Sequence, residues 1–135
     1  MAVLVDTNIL VYRFDDRFRE KQKIAVEILR RGIIEDSVRL PHQAIVEFVA
    51  AVTRPIRGYT ILKQADALRE AEEFLKQFTV LYPNEAILRH AVRACSAYQL
   101  SCSMHTFGHM RNTTGCRRCS LRTFSTIGFM APSAW

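Results

Sequence analysis

Four apolar residues, Ala2-Val3-Leu4-Val5, run into the acid Asp6, and a Thr7-Asn8 pair leads into a second apolar run at Ile9-Leu10. The pattern predicts a short buried strand whose carboxyl end presents Asp6, followed by a helix near Thr7 to Phe14. Asp15-Asp16 can cap a longer helix from about Arg17 to Arg31, with Phe18, Ile24, Ile28 and Leu29 inward and Gly32 as its stop. Ser37 to Leu40 is a weak strand. Pro41 then opens a helix from His42 to about Arg54 that buries Ile45, Phe48, Val49 and Val52. Beyond the turn at Gly58, Tyr59 or Thr60 to Phe78 reads as one long helix with Ile61, Leu62, Ala65, Leu68, Ala71, Phe74, Leu75 and Phe78 inward and Glu70, Glu72 and Glu73 outward. Thr79 to Tyr82 is another short strand. Pro83-Asn84-Glu85 starts a helix to Tyr98 through Ile87, Leu88, Ala91, Val92 and Cys95, the last read as a core residue. Strands alternating with helices predict a small α/β sandwich on a parallel sheet.

From Cys102 onward the pattern dissolves. Neither a helical period nor an alternation runs through this tail, and it contains no acid. It is expected to be incomplete or disordered as folded structure.

Composition adds limits. At 135 residues and 49% hydrophobic the chain forms one domain with a real core. No window holds the roughly 18 apolar residues that would span a bilayer, and the first apolar run meets Asp6 too early for a secretory signal. No membrane role and a cytoplasmic location are the expectations. The net charge of +6 is unevenly spread. All 13 acids lie between Asp6 and Glu85, whereas the tail adds only Arg111, Arg117, Arg118 and Arg122, so positive charge merely permits an RNA partner. The basic run Arg13, Arg17, Arg19, Lys21 and Lys23 could meet phosphates, or could be a solvated helix face. Cys116 and Cys119 form a C-x-x-C, but wrong spacing to any second ligand pair argues against zinc.

Two acids stand out. Asp6 sits where an open α/β sheet places ligand chemistry, although capping of the next helix would also explain it. Glu47 falls inside an apolar helical run, where a metal ion, a basic partner or solvent must offset its lost hydration. If the two converge, a hard cation such as Mg2+ or Mn2+ would relieve their repulsion.

Three segments, Val5-Asp6-Thr7-Asn8-Ile9-Leu10-Val11-Tyr12, Ile45-Val46-Glu47-Phe48 and Ala97-Tyr98-Gln99-Leu100-Ser101, resemble the PIN-domain ribonucleases, and among them the VapC-like toxins of toxin–antitoxin pairs. The resemblance covers residues 1–101 in order. It implies a three-layer α/β/α sandwich and an endoribonuclease that hydrolyses RNA phosphodiesters with Mg2+ or Mn2+. It assigns metal binding to Asp6 and Glu47 and a contact with the site to Thr7. A cognate antitoxin and a homodimer are the protein partners the family offers.

The family has further acids in the region of the tail. Here Met104 stands where a third acid should be and Arg122-Thr123 where a fourth should be. The genetic code suggests why. If one base were lost at codon 102, Ser103-Met104-His105 written TCG-ATG-CAC would hide GAT-GCA, or Asp-Ala, in the shifted frame. Ser120 to Phe124 written TCT-CTG-AGG-ACT-TTC would likewise hide Ser-Glu-Asp-Phe, at the family's spacing. Residues 102–135 are thus expected to be an out-of-frame tail behind a PIN-like domain at 1–101. The expected product is a ribonuclease of impaired activity, and the alternative is a non-catalytic fragment that binds an antitoxin.

Overall fold

The computed structural model describes residues 2–98 and 117–119, with side chains from 2 to 93. Its strands are β1 (Val3–Val5), β2 (Val38–Pro41), β3 (Thr79–Leu81) and β4 (Arg117–Cys119), and its α-helices are α1 (Thr7–Tyr12), α2 (Arg19–Ile34), α3 (His42–Thr53), α4 (Gln64–Gln77) and α5 (Glu85–Tyr98). The strands are parallel and lie in the order β3-β2-β1-β4. Leu4 and Val5 are both fully buried although they point to opposite faces, as expected of a strand covered on both sides. Val5, Val38 and Leu40 join Ile9, Leu10, Leu29, Phe48 and Phe74 in the main core beneath α1 to α4. Leu4 faces the other way, against Leu81 and Ile87 of α5. Helices therefore cover both faces, which gives the α/β/α sandwich expected from the sequence.

Several boundaries differ from the periodic reading, each for a local reason. Gly32 does not stop α2 but lies buried within it. A Cβ there would stand 2.2 Å from Val38 Cγ2, so the glycine lets the helix approach β2. Phe18 precedes α2 in a 3-10 turn (Asp16–Phe18) and is exposed, its ring set edge-on against Tyr12.

The helix expected from Tyr59 begins instead at Gln64. A two-residue turn intervenes, with Arg57 (φ 52°) and Gly58 (φ 79°) both left-handed between the bridged pair Ile56 and Tyr59. The Leu62 amide then donates to the Val52 carbonyl at 3.0 Å, which commits it outside any helix. Within α4 the inward stripe is Ala67, Ala71 and Phe74, because the Phe74 ring packs edge-on at 5.1 Å against Phe48. Ala65, Leu68 and Leu75, expected inward, are exposed. On α5, Ile87 and Ala91 turn inward while Leu88 and Val92 are exposed. Asn84 Oδ1 accepts from the Ile87 amide at 2.9 Å and starts that helix.

The core role expected for Cys95 lies outside the described side chains. Gln99-Leu100-Ser101, Met104, Cys116 and Arg122-Thr123 lie outside the described residues, as does the expected disorder of the tail apart from β4.

Candidate active site at the carboxyl end of the sheet

The chain runs outward from β1 through β2 to β3 and then returns to the opposite side of β1 with β4. Strand order thus reverses between β1 and β4. In open α/β sheets, ligands bind outside the carboxyl ends of the strands at such a reversal. Asp6 is the first residue beyond the carboxyl end of β1.

Asp6 also holds the N-cap position of α1, with extended backbone (φ −81°, ψ 155°). Its side chain makes no cap hydrogen bond. Of the two readings that spacing leaves open, capping of α1 by the Asp6 side chain is not seen.

Thr7 and Glu47 meet across forty positions of sequence. Thr7 Oγ1 donates to Glu47 Oε2 at 2.9 Å, tying the start of α1 to α3. The other oxygen, Oε1, accepts from Gln43 Nε2 at 3.0 Å. Gln43 lies one turn earlier on α3, at the i, i+4 spacing that sets two helical side chains side by side. Both oxygens of Glu47 are thus oriented by neighbouring side chains. Asp6, Thr7 and Glu47 are all partly buried.

The structure joins Thr7, the chain neighbour of Asp6, to Glu47 and adds Gln43, which the sequence reading missed. Its signal was present in the spacing from Glu47, but an amide on a helix is unremarked until its partner is known.

Two carboxylates and a hydroxyl are hard oxygen donors. Mg2+ is commonly held by one or two carboxylates while keeping several waters, so this donor set fits Mg2+ or Mn2+ in a hydrated site. Among the described residues no three His, Cys, Asp or Glu side chains gather as a closed metal cage.

The basic run is largely engaged by the protein itself. Arg17 Nε and Nη2 donate to the two oxygens of Asp15, each at 2.8 Å. Lys21 lies over the Tyr12 ring and Lys23 pairs with Glu20, while Arg13 packs over Phe14 and Phe74. The Arg17 hydrogen bonds hold the Asp15 carboxyl below its ordinary value of 3.8, against the opposing effect of its burial.

The sequence model of the PIN domain matches residues 3–103, most of the chain. The chain belongs to the PIN-domain family. PIN domains are a nuclease family that typically uses divalent metals, and the hard-oxygen donors at the end of β1 suit that chemistry. No curated protein matches this PIN domain. No helix among its described residues is long and apolar enough to cross a membrane.

Proposed function

We propose that this PIN domain is an endoribonuclease of the VapC-like toxin type, with its active site at Asp6, Thr7 and Glu47. The observation that carries the reading is the Thr7 to Glu47 hydrogen bond, which joins the end of β1 to α3 at the reversal of strand order. Asp6 and Glu47 would hold Mg2+ or Mn2+. The ion supplies positive charge against the negative charge that builds on a phosphodiester during hydrolysis. Because Thr7 donates its hydrogen bond to Glu47, its oxygen lone pairs turn away from that carboxylate and can accept a hydrogen bond from water or a ribose hydroxyl. Gln43 and Thr7 together fix the Glu47 carboxylate in one orientation, so it need not reorganise when RNA arrives.

A frameshift at codon 102 accounts for the missing acids, and the end of the family match at residue 103 supports it. The chain as it stands should therefore cut RNA weakly. Restoring one base at that codon should raise cleavage by returning an Asp and a Glu-Asp pair. The family's antitoxin partner and homodimer are carried over as parts of the same reading.

The test is cleavage of a structured RNA in Mg2+ and in EDTA by the wild-type chain and Asp6→Ala. Cutting that requires Mg2+ and disappears in Asp6→Ala is the expected outcome. Cutting that survives either change would assign it to something else. No cutting even by the frame-restored chain would favour the non-catalytic, antitoxin-binding fragment.

A further inference from the structure

The carboxyl edge of the sheet carries an aromatic pair beside the acids. Asp6 follows β1, His42 follows β2 and Tyr82 follows β3, so all three emerge from neighbouring strands at one end. The His42 and Tyr82 rings are stacked, with centroids 5.8 Å apart and planes 26° from parallel. Tyr82 is 67% exposed even so. Neighbouring strands lie about 4.8 Å apart, and β2 separates β3 from β1. The Tyr82 backbone thus stands roughly 10 Å from that of Asp6, a separation of nucleotide dimensions.

We propose that the outer face of Tyr82, backed by His42, is a stacking platform for one base of a single-stranded RNA whose scissile phosphate lies at Asp6 and Glu47. The proposal rests on the ribonuclease reading and adds a subsite to it.

Single exposed apolar residues are ordinary on a protein surface. Tyr82 differs in being both restrained and well placed. An exposed ring normally samples several rotamers, and ordering it on binding costs entropy. Here the imidazole holds it flat in advance. Among the described residues nothing hydrogen-bonds the buried Nδ1 of His42, so at that atom the ring serves as a packing surface. Phosphate contacts fix a strand's position but carry no base information. A π-face accepts any base yet requires it unstacked, which restricts the platform to loops and single strands.

Fluorescence anisotropy of the full chain with a labelled single-stranded RNA, in EDTA to prevent cutting, tests this. Base–aromatic stacking predicts that Tyr82→Ala weakens binding about 5- to 100-fold, while Tyr82→Phe, which keeps the ring, binds like wild type. An RNA of equal length with abasic sites should bind wild type and Tyr82→Ala equally, and so should a duplex. Wild-type affinity in Tyr82→Ala, or an equal loss on abasic RNA, overturns the platform alone. Failure of the wild-type chain to bind any RNA overturns the ribonuclease reading and the platform with it.

Discussion

At the scale of single residues, the site depends on how one carboxylate is held. Gln43 donates to Glu47, so it acts by orienting a candidate ligand. Groups that orient metal ligands typically contribute 10- to 100-fold to affinity. Gln43→Leu should weaken Mn2+ binding by about tenfold on this basis, and should add nothing in a Glu47→Gln background; calorimetric titration of the single and double variants checks both statements. Asp15 offers a residue-scale test of the fold. It is 2% exposed, accepts a hydrogen bond from the Arg17 amide as well as from the guanidinium, and has its carboxyl shifted down. A carboxyl depressed in the folded state stabilises the fold above its unfolded-state value, and that contribution is lost as pH falls through the lowered folded value. Asp15→Asn keeps an oxygen for the Arg17 amide but loses the ion pair, and should therefore cost about 0.5–1 kcal/mol at neutral pH. In urea melts the deficit should hold down to about pH 4 and then shrink in stronger acid, where wild-type Asp15 is itself neutral.

Among the elements, apolar spacing made the strands and most helices legible because burial on a sheet leaves so little choice of side chain. The run Val3-Leu4-Val5 ending in Asp6, and the stripe Ile45, Phe48 and Val52, both appear in the structure where periodicity put them. What was not legible came from chain segments whose hydrogen bonds go elsewhere. Ile61 and Leu62 pack against the core from a loop, because the turn at Arg57-Gly58 and the Leu62 to Val52 bond override helical periodicity. Gly32 read as a helix stop because its usual role is conformational, whereas here it is steric. Ala is the better helix former by about 1 kcal/mol, so an exposed Gly→Ala change would stabilise. At position 32 the added methyl meets the stiff β-branched Val38. Gly32→Ala should instead destabilise by about 1–3 kcal/mol, the range for overpacking; an increase in the thermal midpoint would show that α2 can move off β2 freely.

For the whole molecule, the topology explains why residues distant in sequence share one site. Returning the chain to β4 beside β1 sets Asp6 at the reversal of strand order, and the packing of α3 on α1 brings Glu47 to the neighbouring Thr7. Among the described residues the face of the sheet under α5 carries the smaller core, built on Leu4, and Leu88 and Val92 of that helix are exposed. Asp6 and Glu47 stand out as candidates in the sequence because one ends an apolar run and the other lies within one, where an acid is costly; the hydrogen bond from Thr7 to Glu47, and the His42–Tyr82 pair at the same end of the sheet, required the packed structure. The most direct measurement is Mn2+ binding to the full chain, followed by electron paramagnetic resonance, for wild type, Asp6→Asn and Glu47→Gln. Binding by wild type that weakens about tenfold or more in each variant is expected if two of the few protein ligands of a hydrated site are lost one at a time. Equal binding by all three chains would contradict a cation site at the end of β1.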